Sequence, residues 1–166
     1  MKLSDFNNID DNERCRLLMS CCSCSRWATK LSAEGPFLSI QDLTEKAFGC
    51  WSEMSEADIV EAFSGHPKIG DVKDLEKKYG SSPIEEQSSV RLAKTRTLER
   101  LKNKNEEYLE KFGFIFIVFA TGKSAEEMLG LLESRLGNSR EMELKNGARE
   151  QLLIFTKRLG QLLEVP

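Results

Sequence analysis

The carboxyl-terminal stretch of this chain carries its apolar residues at a helical spacing. Between about residues 140 and 163, the steps from one apolar position to the next are four, four, three, four and three. An α-helix turns once every 3.6 residues, so these positions share one face. The segment is therefore predicted to be one long amphipathic helix whose apolar face carries Leu144, Ala148, Leu152, Phe155, Leu159 and Leu162.

The same period recurs through most of the chain, and little interrupts it. Four prolines and scattered glycines stand mostly between the periodic stretches, as is usual between helices. Ser55 with Asp58, and Ser124 with Glu127, match the capping box that opens a helix. The other predicted helices cover residues 10–33 as two helices meeting near Ser23 to Ser25, Ser39 to about Trp51, Ser55 to Gly65, Pro83 to about Phe112, and Ser124 through Leu136.

One segment departs from this period, the apolar run from Phe114 to Phe119. A single strand has no partner to pair with, so we expect buried extended chain or a helix fragment there. The 166 residues suffice to bury a core without disulfides or metal. The prediction is one all-α domain over residues 1–166.

Charge and hydropathy exclude several classes of protein. The chain has 24 basic and 27 acidic residues, with no long run of either sign, so no basic face is available for nucleic acid. The longest apolar run has seven residues, whereas a membrane span needs about 20. The first residues lack the apolar core of a secretory signal. Five cysteines, an odd number, suit thiols in a reducing compartment. We therefore expect a soluble intracellular protein.

Two partial motifs do not carry a function. Gly122-Lys123-Ser124 copies the end of a P-loop, but Ile117 stands where that motif needs glycine. Cys21 and Cys24 have thioredoxin-like spacing, yet they lie in a helical pattern, which favours buried helix cysteines. One histidine and no second cysteine pair predict that no metal site is present.

The only histidine, His66, follows a predicted helix end. Gly65 suits the left-handed position after a helix, and Pro67 keeps His66 out of the helical region. The helix carbonyls would favour a charged imidazolium, and such a group can exchange a proton near neutral pH. The alternative is a capping histidine with no chemistry.

Two further polar features are candidates for binding. Pro83-Ile84-Glu85-Glu86-Gln87 opens the long helix, where free N–H groups can bind a substrate's carbonyl or carboxylate; the alternative is plain charge complementarity at a helix start. Arg158 lies at the margin of the last apolar stripe. Its guanidinium can hold a carboxylate bidentately or extend to solvent.

Several short motifs occur along nearly the whole length of the chain. They are Phe6-Asn7, Cys21-Cys22 followed by Trp27, Gly35-Pro36-Phe37, Gly65-His66-Pro67-x-Ile69-Gly70, Glu86-Gln87, Asn105-x-x-Tyr108, Phe112-Gly113 and the run from Ala120 to Glu127. With these motifs the chain resembles 2-oxo-4-hydroxy-4-carboxy-5-ureidoimidazoline (OHCU) decarboxylase, either separate or as a domain of a bifunctional allantoin synthase. The most specific pieces are His-Pro-x-Ile-Gly and Glu-Gln.

The resemblance implies an all-α enzyme of urate degradation that converts OHCU to (S)-allantoin and CO2 without a cofactor. It makes His66 the catalytic proton-transfer residue, Glu86 its orienting or proton-sharing partner, and Gln87 a donor to the ureido or ring amides. Arg158 would fix the substrate's anionic end. Further implied substrate contacts are Pro67, Pro83, Ile84, Glu85 and the segment Ile117, Val118, Phe119, Ala120 and Thr121; whether Ser81 or Ser82 also contributes is open.

The resemblance also suggests a homodimer, and a transthyretin-like hydroxyisourate hydrolase, fused or separate, as a partner. The chain does not end in the Ser-Lys-Leu peroxisomal signal, so peroxisome and cytosol both stay open. Two other functions also stay open: a helical interaction module whose site is idle, and an enzyme for a related small heterocycle. The joint presence of the proposed catalytic and binding side chains argues against an idle site.

Overall fold

The computed structural model of this chain describes residues 1–66 and 88–164, with side chains in the second range described from residue 95. The helices are α1 (Leu3–Asn8), α2 (Asp11–Cys21), α3 (Ser25–Ala33), α4 (Ile40–Ser52), α5 (Glu56–Ser64), α6 (Ser88–Phe112), α7 (Ala125–Leu136) and α8 (Arg140–Leu162). Within these ranges every regular element is a helix, which confirms the predicted all-α class. None of these helices is both long and apolar enough to span a membrane.

The helices form two compact units. The first comprises Met1–His66 with Leu144–Pro166, and the second comprises Pro67–Glu143. The first unit therefore combines the amino-terminal helices α1 to α5 with most of α8.

Aromatic side chains fill the centre of the first unit. The Phe155 ring on α8 lies 4.9 Å from Trp27 and 5.8 Å from Trp51, measured between centroids. Both indole N–H groups donate to backbone carbonyls, Trp27 to Ala47 at 3.0 Å and Trp51 to Ala148 at 3.1 Å. Buried indoles need such partners, so these two bonds fix how α3, α4 and α8 pack.

Hydrogen bonds anchor the amino-terminal end to the segment after α3. The Asn7 side chain donates to the Phe37 carbonyl at 2.8 Å and accepts from the Phe37 N–H at 2.9 Å. Arg14 is buried and donates to the Phe6, Asn7, Ile9 and Ser32 carbonyls. The Phe6-Asn7 and Gly35-Pro36-Phe37 motifs therefore serve the fold.

A buried polar cluster organises the second unit. Glu143 is fully buried and accepts from the Tyr108 hydroxyl at 2.5 Å, from Arg135 Nε at 2.7 Å and from the Asn138 amide at 2.7 Å. A buried carboxylate is tolerated only with such partners. The Tyr108 ring also lies within 4.4 Å of Phe112, centroid to centroid, so this cluster ties α6 to the segment that follows α7.

The apolar run after α6 forms neither helix nor strand over residues 115–120. Phe114, Phe116 and Ile117 are buried, as the prediction of buried, non-helical chain requires. The alternative of a helix fragment is therefore wrong.

Candidate functional site

A short helix positions His66. Ser55 and Asp58 form the predicted capping box that opens α5, and the helix ends at Ser64. The N–H groups of Gly65 and His66 donate to carbonyls three residues back, at 3.3 and 3.1 Å. The last turn therefore tightens and presents the imidazole directly beyond the helix end.

Position 65 requires glycine because of a close packing contact, whereas the sequence predicted a left-handed backbone conformation there. Its φ is −75°, in the right-handed region, so the predicted left-handed conformation is wrong. A Cβ at this position would lie 2.2 Å from Ser23 Cβ and 2.1 Å from Ser23 Oγ. Glycine is needed because the connection between α2 and α3 packs directly on the backbone before His66.

The His66 ring is bound by a glutamine of α8. His66 Nε2 lies 2.6 Å from Gln151 Oε1, and Gln151 is fully buried. The Gln151 amide nitrogen lies 3.6 Å from Cys22 Sγ and donates to it. Both ends of the glutamine amide are therefore held, one by the imidazole and one by the thiol.

Arg158 lies near the same group. Its Nη1 donates to the Cys21 carbonyl at 3.0 Å, and the side chain is part-buried. The head group is therefore directed to the end of α2, against the alternative of a side chain that simply extends to solvent. A guanidinium has five N–H donors, and the Cys21 carbonyl accepts one of them. A guanidinium can also bind a carboxylate through two parallel hydrogen bonds.

The electrostatics of His66 contradict the predicted imidazolium. Burial lowers the pKa of His66 below its usual value, and the positive charge of Arg158 lowers it further, although the bond to Gln151 opposes both. Removal of water from the charged form outweighs the helix carbonyls on which the prediction rested. The imidazole is therefore neutral at neutral pH, and a neutral imidazole can accept a proton and return it.

The cysteines beside this group are inert. All five in the chain are free, and burial raises the pKa of Cys21, Cys22 and Cys24. A raised pKa keeps a thiol protonated and unreactive, which confirms buried structural cysteines over a redox pair.

The proposed backbone contacts lie in the second unit. Arg135 Nη1 donates to the Ile117 carbonyl at 2.9 Å, and Lys123 Nζ donates to the Phe119 carbonyl at 3.0 Å. Gly122 has a φ of +76°, a conformation that glycine adopts readily, and it forms the turn before α7. Two carbonyls of the segment Ile117 to Thr121 are thus engaged by side chains of their own unit.

The remaining candidates lie outside the described residues. These are Pro67, Pro83, Ile84, Glu85, Glu86 and Gln87, together with the two serines at 81 and 82. Of the predicted catalytic and binding side chains, the described part of the first unit contains His66 and Arg158, and their roles stay predictions.

One group of potential metal ligands occurs in the described residues. Cys24, Asp58 and Glu61 each offer an atom, and these atoms lie within 4.8 Å of one another. Asp58 already accepts from the Ser55 N–H and hydroxyl, and Glu61 accepts from the Ser25 hydroxyl at 2.6 Å. These hydrogen bonds are made at the starts of helices α5 and α3. The absence of a metal site stays a prediction.

Gln151 was not predicted from the sequence, although a signal was present. It stands three residues after Ala148 and four before Phe155, so it falls on the apolar stripe of α8. A polar side chain on a buried stripe needs a specific partner, and here that partner is the only histidine.

Comparison with known proteins assigns this all-helical chain to a family. The model of the OHCU decarboxylase family matches residues 7–160. The chain therefore belongs to the OHCU decarboxylase family.

Individual relatives agree with that assignment. The uric acid degradation bifunctional protein TTL of Arabidopsis thaliana is 34% identical over 146 residues, covering 86% of this chain and 45% of that protein. The OHCU decarboxylase of Halalkalicoccus jeotgali is 28% identical over 141 residues, covering 83% of this chain and 78% of that protein. The chain spans less than half the length of the bifunctional relative.

A solved structure shares the fold. A crystal structure of OHCU decarboxylase in the presence of (S)-allantoin superposes with a TM-score of 0.73 and 31% sequence identity. The match covers 94% of this chain and 99% of that one. The helical arrangement described above is thus that of a known OHCU decarboxylase.

Proposed function

We propose that this protein decarboxylates OHCU to (S)-allantoin in urate degradation, with His66 as the proton carrier. The observation that carries the proposal is a part-buried imidazole bound at one nitrogen by Gln151, with the Arg158 guanidinium nearby, in a chain of the OHCU decarboxylase family. The lyase class and the substrate follow from that family, and the residue roles follow from the chemistry of the group.

The reaction needs little beyond orientation and proton transfer. The bond to the carboxylate breaks, CO2 leaves, and the electron pair enters the neighbouring C=N of the ring, whose nitrogen takes up one proton. The enol that results loses its hydroxyl proton while the carbon bearing the ureido group gains one. The heterocycle accepts the electrons itself, so the chain's residues need only bind, exclude water and move protons.

His66 and Arg158 divide these tasks. The neutral imidazole takes the hydroxyl proton and delivers a proton to the carbon, and delivery from one side yields one enantiomer. The guanidinium pairs with the substrate carboxylate, since a planar fork matches two oxygens. Glu86 would orient His66 or share the proton that His66 exchanges with the substrate, and Gln87 would hydrogen-bond the ureido or ring amides, by analogy with the family.

Several broader features complete the proposal. We take residues 1–166 as one functional decarboxylase domain that forms a homodimer, working in the peroxisome or the cytosol. The hydroxyisourate hydrolase that supplies OHCU would be transthyretin-like, and either fused or separate. The substrate-binding roles of Pro67, Pro83, Ile84, Glu85 and the segment Ile117 to Thr121 belong to the same proposal.

The test is turnover of OHCU formed in situ from urate. The purified chain should accelerate loss of OHCU well above its spontaneous decay, and excess allantoin should compete. A folded protein that does not accelerate this decay would contradict the proposal. Turnover of a related heterocycle in preference to OHCU would keep the chemistry and correct the substrate.

A further inference from the structure

The bond between His66 and Gln151 restricts which imidazole nitrogen can act. The carboxamide oxygen is an acceptor only, so at 2.6 Å from Gln151 Oε1 the nitrogen Nε2 must carry its hydrogen. In a neutral imidazole the other nitrogen, Nδ1, then has a free lone pair. The orientation of the amide therefore decides the tautomer.

Cys22 contacts the other end of that amide. The Gln151 nitrogen donates to Cys22 Sγ at 3.6 Å, and thiol sulfur is a weak acceptor. With the nitrogen directed to Cys22, the oxygen faces His66. Since Gln151 is fully buried, water does not compete for either end of the amide.

We propose that Gln151 is a positioning residue of the decarboxylase, which holds His66 as the Nε2–H tautomer so that Nδ1 is the atom that exchanges the proton with substrate. The identity of that substrate rests on the proposed function, but the tautomer is a property of the protein alone. Glutamine serves here as a neutral counterpart of the carboxylate that orients many catalytic histidines.

The Cys21-Cys22 dipeptide contacts both Arg158 and Gln151. The carbonyl of Cys21 accepts from Arg158, and the sulfur of Cys22 accepts from Gln151. One short segment at the end of α2 therefore orients both the guanidinium and, through the glutamine, the imidazole. A serine at position 22 would still accept a hydrogen bond, whereas a valine would not.

The tautomer can be measured directly because the chain has one histidine. We would record long-range proton–nitrogen spectra of 15N-labelled protein without a histidine tag at neutral pH. The expected spectrum shows Nε2 protonated and Nδ1 unprotonated. A wild-type spectrum with the proton on Nδ1 would overturn the proposal without any variant being made.

Variants then connect the tautomer to catalysis. Gln151→Met keeps the side chain's length but removes the amide. We expect mixed tautomers with kcat lowered about tenfold to a hundredfold, by analogy with the loss seen when the hydrogen-bond partner that orients a metal-binding histidine is removed. KM should change far less. Gln151→Glu keeps an acceptor and should retain the Nε2–H tautomer while moving the pH profile upward, because a carboxylate raises the pKa of the imidazole.

The matched control is Gln161→Met, an exposed position on the same helix, which should behave as wild type in both readouts. Retention of the wild-type tautomer and kcat by Gln151→Met would overturn the positioning role. If the wild type shows the Nε2–H tautomer but does not decarboxylate OHCU, the proposed function fails while the tautomer result stands. If Gln151→Met does not fold, the wild-type and Gln151→Glu spectra still decide the matter.

Discussion

His66 Nε2 and Gln151 Oε1 lie 2.6 Å apart although 85 positions separate the two residues in the chain. The contact joins the end of α5 to the middle of α8, and the imidazole there is partly buried, near Arg158. This environment lowers the pKa of His66, which suits the proposed role of the ring as a base.

The first prediction concerns pH. Because the folded-state pKa of His66 lies below the usual value of about 6.5, the basic form persists as the pH falls through that value. We expect kcat/KM to stay level there and to decline only at lower pH. The measurement is a profile of initial rates against pH, corrected for spontaneous decay of OHCU. A decline with its midpoint above about 6.5 would instead indicate a stabilised imidazolium.

The second prediction concerns Arg158. Replacement by alanine removes the proposed partner of the substrate carboxylate, and hydrogen bonds to charged groups contribute about 1.5 to 3 kcal/mol. We expect KM to rise at least tenfold with a smaller effect on kcat. Arg158→Lys should recover only part of the loss, because an ammonium cannot form the bidentate pair.

The control for Arg158 is Arg149→Ala, an exposed arginine on the same helix, which should leave both constants unchanged. Steady-state kinetics on the three variants provides the comparison. A loss confined to kcat would assign Arg158 to transition-state stabilisation and contradict a binding role.

The third prediction tests why glycine precedes His66. A Cβ at position 65 would lie 2.2 Å from Ser23 Cβ, so Gly65→Ala should lower the free energy of unfolding by about 1 to 3 kcal/mol, the usual cost of overpacking. Ser23→Gly removes the obstructing atoms and should restore most of that loss in the double variant. Chemical denaturation of the four proteins in this cycle measures the coupling, and additive effects would exclude the contact.

The fourth prediction concerns the buried carboxylate of the second unit. Glu143→Gln leaves the Arg135 guanidinium without its charge partner, and breaking a buried ion pair costs about 3 to 5 kcal/mol. The expected result is a large fall in the free energy of unfolding, measured by denaturant titration. Glu106→Gln, at an exposed position of α6, is the control. Equal stability of the two variants would show that the cluster does not stabilise the unit.

Much of the fold could be predicted from local sequence patterns. Helical spacing and capping residues act within a few positions. The predicted bounds of α2 to α5, α7 and α8 therefore agree closely with the structure, including the break near Ser23. The beginning of the long helix at Pro83 lies outside the described residues. Helix α1 was not predicted because six residues are too few to show a period.

The site shows where local patterns fail. The sequence singles out His66 and Gly65, but the charge of the imidazole depends on its burial, and the need for glycine depends on Ser23. Both depend on contacts between distant segments. Gln151 was missed for the same reason, since its partner is far away along the chain.

The most direct test follows the enantiomer formed. OHCU made in situ is mixed with wild type or His66→Ala, and circular dichroism records the appearance of (S)-allantoin, after far-UV spectra and thermal melts confirm that both proteins fold alike. Wild type should give a rapid stereospecific signal, and His66→Ala should lose at least about a hundredfold in rate, as expected when a proton-transfer residue is removed. Formation of (S)-allantoin by His66→Ala at the wild-type rate would contradict the assignment of His66 as the proton carrier.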